Sequence, residues 1–154
     1  MKQSGLKFEI ANENHANILV AFEQIIAEPK LYGKPLDLAG AIKEIRENYY
    51  YFIKKSGVLV GTAAYRKRED ESYYISNMAV DPTYRKQGIA RKALDFILKK
   101  CKNTWRIDLV THPENFRSIP LYESFGFFAE SRIEDFYGDG EARIVMVKKL
   151  NCPL

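Results

Sequence analysis

The sequence predicts an α/β fold: one domain built on a mixed, mostly antiparallel sheet of about 6–7 strands flanked by about four helices. Three observations carry this prediction. A strand pattern at 73–80, an amphipathic helix at 88–102 and a strand pattern at 107–111 follow one another, which implies a parallel strand pair joined by a right-handed crossover. Turn signals at Ser56-Gly57 and Gly138-Asp139-Gly140 sit between β-rich runs, so the remaining sheet is expected to be antiparallel. No repeat, low-complexity tract or Pro/Gly/Ser linker divides the 154 residues, so 1–150 are expected to form a single domain with 151–154 as a tail.

The elements follow in order. Leu6 to Ala11 alternates as a strand does. Ile18, Leu19, Phe22, Ile25 and Ile26 recur at helical spacing, with Pro29 as the expected stop. After a Gly/Pro loop, Leu36 to Asn48 reads as a second helix. Tyr49 to Lys54 and Val58 to Lys67 read as a hairpin, and Tyr73 to Val80 as a strand ended by Asp81-Pro82. In the helix from Gly88 to Lys102, Ala90, Ala93, Leu94, Ile97 and Cys101 share one face. Ile107 to Thr111 is a strand, 116–125 a short helix ended by Gly126, and Phe127 to Ile133 and Ala142 to Val147 the closing strands.

Composition excludes several classes. With 46% hydrophobic and 13% aromatic residues, the chain has enough apolar surface for a core and is not disordered. No apolar run approaches the roughly 20 residues of a membrane helix, and residues 1–5 lead into a strand pattern without a signal-peptide apolar region. A soluble, cytoplasmic protein without a membrane partner is expected. Cys101 is expected in the core and Cys152 in a loose tail, and a disulfide between them is disfavoured in a reducing compartment. His15 and His112 stand at no zinc-ligand spacing from either cysteine, so no metal site is expected. The net charge is +4, and seven basic residues crowd 85–102 against one acid, Asp95. That cluster reads as a polyanion or phosphorylated-cofactor contact, or as a solvated helix face. No nucleic-acid partner is expected, because no interleaved aromatics or nucleic-acid motif accompany the charges.

The stretch from Met78 to Ala90 carries the chemistry. A strand ends at Asp81-Pro82, a short loop follows, and Gly88 stands at a helix start. Backbone N–H groups of such a turn, with the orphan donors of the helix N-terminus, form an anion cradle. Gly88 and Ala90 are small where a phosphate must approach, and Arg85 and Lys86 add charge. Neither G-x-x-x-x-G-K-[ST] nor G-x-G-x-x-G occurs.

Arg85-Lys86-Gln87-Gly88-Ile89-Ala90 resembles the pyrophosphate-binding pattern Arg/Gln-x-x-Gly-x-Gly/Ala of the GNAT superfamily of N-acetyltransferases, and Met78 to Pro82 resembles the strand leading into it. Asn115, then Leu121-Tyr122-Glu123, then Gly126-Phe127 resembles that family's second signature. The resemblance spans 73–127 and implies acetyl-CoA as cosubstrate and direct transfer to an amine through a tetrahedral intermediate. It implies a bulged strand splayed from its parallel neighbour, with backbone groups of Met78, Ala79 and Val80 holding the acetyl carbonyl and the pantetheine amides. Arg85, Lys86, Gln87, Gly88, Ile89 and Ala90 would hold the pyrophosphate, and Asn115 would contact the cofactor.

Tyr122 is the catalytic candidate, a phenol placed to protonate the leaving thiolate. The general base is left open among His112, Glu114, the central-strand residues Tyr74, Ser76 and Asn77, and a relayed water. His112 and Glu114 also read as plain surface-loop residues. Enzymes of this family that act on peptide N-termini often carry a glutamate five residues before the asparagine, where this chain has Val110. Pro120 is a second departure: with Ser118 as N-cap the helix is short, and with Asn115 as cap it is kinked. Asp135 to Glu141 resembles the Tyr-x-Asp-Gly-Glu hairpin of N-terminal peptide acetyltransferases, where Tyr137 would clasp a peptide, and it also reads as a solubilising tip. The resemblance implies an amine acceptor, expected to be a peptide or protein. A CoA-binding sensor without turnover and a small-molecule or polyamine acetyltransferase stand as alternatives. Oligomeric state is not indicated.

Overall fold

The computed structural model describes residues 5–150. The chain begins with β1 (Leu6–Ile10), a 3₁₀ turn (Glu13–His15), α1 (Ala16–Ile25), α2 (Pro29–Tyr32) and α3 (Leu38–Glu47). It continues through β2 (Tyr49–Lys55), β3 (Val58–Lys67), β4 (Tyr73–Val80), a second 3₁₀ turn (Pro82–Tyr84), α4 (Ile89–Lys100) and β5 (Arg106–Thr111). It ends with α5 (Ile119–Ser124), β6 (Phe128–Ile133) and β7 (Arg143–Lys149). Seven strands form one sheet in the order β1-β2-β3-β4-β5-β7-β6, with β4 and β5 parallel through Tyr73↔Ile107 and Tyr74↔Asp108. β1–β2, β2–β3, β5–β7 and β6–β7 are antiparallel. Among the described residues no helix is long and apolar enough to cross a membrane. Cys152 lies outside the described residues, and Cys101 is fully buried, its thiol pushed up to about 12 by that burial.

Two compact units make up the chain. The first holds residues up to Ile26, Leu36–Arg66 and Ile75–Lys100. Its hairpin turns on Ser56 (φ 49°) and Gly57 (φ 79°), two successive left-handed residues whose twist matches that of the flanking strands. β2 buries both faces. Tyr50 and Phe52 join Ala16, Leu19, Ala41, Ile45 and Ala64 under α1 and α3. The alternate residue Tyr51 meets Phe96 of α4 edge-on at 5.0 Å, and Phe8 stacks on the same ring at 4.1 Å. α4 buries Ile89, Ala93, Leu94 and Ile97, the i, i+4, i+5, i+8 stripe of a helix lying on a sheet.

Two carboxylates of this unit, Glu23 and Glu44, are held against their preference by burial. Glu23 on α1 is half-buried, and desolvation together with the Glu44 charge raises its carboxyl from 4.5 to about 6. A raised folded-state value means that the associated stability is present in full below about pH 4.5 and lost as pH rises through 6. Glu23→Gln is therefore expected to be more stable than the native chain at pH 7.5, by about 1 kcal/mol once partial solvent screening is allowed for, and no different at pH 4. Urea unfolding at the two pH values checks this.

The second unit holds Ala27–Pro35, Lys67–Tyr74 and the chain from Cys101 onward. Here β7 lies between β5 and β6, so β6 forms the sheet edge. Side-chain chemistry explains that choice: β6 is exposed along its whole length, whereas β7 carries buried Met146 and Val147. The edge is interrupted by a bulge between Ala129 and Ser131, and Glu130 there binds Arg106 through two 2.8 Å bonds. Arg106 also binds buried Asp108 at 2.8 Å, and Arg68 grips the same carboxylate at 2.7 and 2.9 Å.

Two helices differ from expectation. α1 ends at Ile25, ahead of Pro29 as expected, but Pro29 is also the first residue of an unexpected α2, where its missing N–H costs nothing and its fixed φ suits a helix start. α5 starts later than 116: Ser118 is its N-cap and Pro120 stands at the second helical position, so the helix is short.

Candidate active site

The candidate residues fall into two groups, one in each unit. In the first, Ala79 is buried and Met78 and Val80 are half-buried at the end of β4. The Asp81 N–H binds the Val60 carbonyl at 2.8 Å, and the Asp81 carboxylate caps the 3₁₀ turn by accepting the Thr83 N–H at 2.9 Å. Backbone approach is close here: a Cβ on Gly61 would lie 2.7 Å from the Ala79 carbonyl oxygen. One ladder irregularity in this unit lies between Ile53 and Lys54 in the β2–β3 pair.

The loop then alternates. Arg85 is extended, Lys86 has φ 63° and Gly88 φ 77°, and the Lys92 N–H closes the first turn of α4 on the Gly88 carbonyl at 3.1 Å. Helix starts in general offer N–H donors that lack intrahelical acceptors. Apart from its chain neighbours, no heavy atom of the described residues lies within 4 Å of a Cβ built on Gly88, so the space beside this helix start is open and suits an anion. Ile89 turns into the core instead. The Gln87 side chain is engaged, its Oε1 accepting from Lys55 Nζ at 2.7 Å, which leaves Gln87 its backbone to offer. Lys55, 32 residues away in sequence, thus joins the basic rim unanticipated.

The second group lies around α5, α2 and the β6–β7 connection. Asn115 is buried, its Nδ2 donates to Thr111 Oγ1 at 3.1 Å, and its Oδ1 is buried without a partner. Tyr122 is buried against Phe127, ring edge to face at 6.1 Å. Burial, reinforced by the neighbouring Tyr32 hydroxyl and only partly opposed by a hydrogen bond with Ser118, pushes its phenol well above the ordinary tyrosine range. The phenol is therefore protonated throughout the physiological range.

The base candidates separate. His112, expected on the surface, is buried at 3% exposure, and both ring nitrogens are engaged: Nδ1 accepts the Glu114 N–H at 2.9 Å and Nε2 lies 2.8 Å from Glu141 Oε2. Glu114 is exposed and paired with Lys30 at 2.8 Å, which holds its carboxyl below the usual carboxylate range. Asn77 Oδ1 accepts from Thr62 at 2.6 Å, Tyr74 lies under the Arg68 guanidinium at 5.1 Å, and the Ser76 hydroxyl is buried without a partner. Val110 sits opposite Val145 in the β5–β7 ladder.

The connection from Asp135 to Glu141 is locked from within. Asp135 accepts the Gly140 N–H at 2.6 Å, and Asp139 accepts the Glu141 N–H at 3.0 Å. Arg143, at 1% exposure, lies beneath: it binds Asp139 at 3.2 Å and the Ala142 and Lys30 carbonyls, and the exposed Tyr137 ring covers its guanidinium at 5.0 Å. Sequence reading missed Arg143, because an arginine beginning an alternating strand reads as solvent-facing. α2 is tied to α5 by Glu28–Arg117 at 2.8 Å and by the Tyr32 hydroxyl, which accepts from Arg117 at 3.4 Å. Among the described residues no group of three or more His, Cys, Asp or Glu stands close enough to hold a metal ion.

A profile of the acetyltransferase (GNAT) family matches residues 19–127. The chain is 33% identical over 84 residues, 51% of its length and 48% of the relative's, to N-alpha-acetyltransferase 30 of Saccharomyces cerevisiae. It spans about half the length of the N-alpha-acetyltransferases it matches in yeast and in Saccharolobus solfataricus. Its fold is similar to that of Ard1 from Thermoplasma volcanium, with a TM-score of 0.82 at 18% identity, covering 94% of this chain and 97% of that one. It is similar also to Arabidopsis thaliana Naa50 in complex with the bisubstrate analogue CoA-Ac-MVNAL, with a TM-score of 0.79 at 19% identity, covering 94% and 99%. Matched over more than half its length, the chain belongs to the acetyltransferase (GNAT) family.

Proposed function

We propose that residues 1–150 act as one acetyl-CoA-dependent N-acetyltransferase domain that passes the acetyl group directly to an amine of a peptide or protein. The observation that carries the reading is the buried Asn115 amide, whose Oδ1 has no partner. An unsatisfied buried acceptor costs about 1–3 kcal/mol. Pantetheine carries amide N–H groups that would satisfy it. Independently, the loop from Arg85 to Ala90, open at Gly88 and basic, suits a pyrophosphate.

Acetyl-CoA would supply a thioester whose carbonyl carbon an amine lone pair attacks. In this reading backbone N–H groups of Met78 to Val80 take the growing charge on the carbonyl oxygen. Tyr122 delivers a proton to the departing sulfur and recovers one from the acylated nitrogen. A buried thiolate is the stronger base for being buried, as the Cys101 thiol at about 12 illustrates within this chain, so a phenol held high by burial still matches it. The acceptor class rests on the named relatives: two of the curated matches are N-alpha-acetyltransferases, and one similar structure holds a CoA–peptide analogue.

The test is release of CoA thiol with four acceptor sets: peptides with free N-termini, N-terminally blocked peptides with an internal lysine, polyamines and aminoglycosides. Turnover on free N-terminal peptides is expected. Turnover confined to polyamines or aminoglycosides would overturn the peptide acceptor. Acetyl-CoA binding with no thiol release on any amine would favour a sensor.

A further inference from the structure

An amine acceptor arrives as an ammonium ion and must lose a proton before its lone pair can attack. Six carboxylates stand at the start of α2, on the turn before α5 and on the β6–β7 connection: Glu134 pairs with Arg132 at 2.7 Å, Asp135 accepts the Gly140 N–H at 2.6 Å, and three more are ion-paired. Glu28 binds Arg117 at 2.8 Å, Glu114 binds Lys30 at 2.8 Å and Asp139 binds Arg143 at 3.2 Å. Glu141 is held differently. Its Oε2 lies 2.8 Å from His112 Nε2, and Nδ1 of the same ring accepts the Glu114 N–H at 2.9 Å. A ring nitrogen that accepts an N–H carries no proton, so the ring proton sits on Nε2 and is donated to Glu141. The imidazole thus orients the carboxylate without cancelling its charge.

The mounting is rigid. His112 is almost fully buried. The Glu141 N–H is held by Asp139 at 3.0 Å, and its carbonyl accepts the Phe136 N–H at 3.3 Å. The Glu141 side chain is about one third exposed, enough for a ligand to reach, and His112 occupies one of its two oxygens. The Lys30 ammonium, bound to Glu114, is further raised by the Glu141 charge.

Resting on the N-acetyltransferase reading above, we propose that Glu141 receives the acceptor ammonium and takes its proton, with His112 as the positioning residue. The proton passes from nitrogen to the carboxylate oxygen that His112 leaves open, and from there to solvent. The freed lone pair forms the C–N bond as the C–S bond breaks. The second nitrogen proton replaces the one Tyr122 gives to sulfur, so one proton is released per turnover.

The experiment measures steady-state kinetics on the best acceptor, with acetyl-CoA affinity by calorimetry, for Glu141→Gln, His112→Gln, His112→Leu and the double variant His112→Leu/Glu141→Gln. Glu141→Gln is expected to lower kcat/KM for the acceptor about 10²–10³-fold, within the range of a positioned acid or base, while acetyl-CoA affinity stays within about twofold. His112→Gln retains an N–H donor to Glu141 and is expected to stay within about tenfold of the native enzyme, whereas His112→Leu falls further. The double variant is expected to be no worse than Glu141→Gln, because His112 acts through that carboxylate. Glu141→Gln within about threefold of the native value in an active enzyme would overturn the proposal and leave the N-acetyltransferase reading standing. Losses that multiply in the double variant would overturn the positioning role. A native enzyme that binds acetyl-CoA yet acetylates no amine would overturn both.

Discussion

Tyr122→Phe is expected to lower kcat and kcat/KM together, by about 10²–10⁴-fold, with acetyl-CoA affinity unchanged. The substitution removes one hydroxyl from a side chain buried against Phe127 and hydrogen-bonded to Ser118. The ring, its packing and the short helix that carries it remain, so the stability change should stay near the 0.5–1.5 kcal/mol or so of one net hydrogen bond. What disappears is the proton donor. Without it the sulfur must leave as a thiolate, and burial makes such an anion costly, as the buried Cys101 thiol at about 12 illustrates elsewhere in the chain. Paired measurements of turnover and calorimetric affinity check this. Equal turnover in the two proteins, with chemistry shown to be rate-limiting, would remove Tyr122 from the reaction.

Gly88→Glu carries the second large effect, on binding. Gly88 sits at φ 77° with empty space where a side chain would begin, immediately before the first turn of α4. A glutamate there brings a negative charge to the place proposed for two phosphates and occupies the space as well. A loss of at least 100-fold in acetyl-CoA affinity is expected, about 2.8 kcal/mol. Gly88→Ala separates the causes. It shares the left-handed backbone strain of about 1–2 kcal/mol but adds only a methyl group in open space. Its affinity should therefore fall far less. Affinity retained in Gly88→Glu would refute the pyrophosphate assignment for the loop.

Much of the candidate site was legible because its signals are local. Met78 to Ala90 is one continuous strand, turn and helix start, and each step follows from nearby residues: Asp81-Pro82 ends the strand, and Gly88 takes the left-handed position. The second signature was equally local, and Ser118 with Pro120 set a short helix that leaves Asn115 buried just before it. Less legible were the long-range partners. Lys55–Gln87 joins residues 32 apart and His112–Glu141 residues 29 apart. His112 stands between a strand end and a proline, in a context that reads as surface loop, and only the β6–β7 connection brings a carboxylate to it.

The sequence by itself determined the elements and their kinds: the hairpin on Ser56-Gly57, the strand Tyr73–Val80, the amphipathic helix after Gly88, and thus the parallel pair. Hydrophobic period and turn chemistry act over a few residues, so one chain read from end to end reveals them. Only the tertiary structure decided that β7 lies inside β6, that Pro29 opens a helix whose residues are tied to Arg117 and Glu114, and that Arg143 and His112 are buried. Those outcomes depend on which distant group satisfies a polar atom once water is excluded. Glu141 for His112, and Asp139 with the Ala142 and Lys30 carbonyls for Arg143, are partners that exist only after the strands have paired.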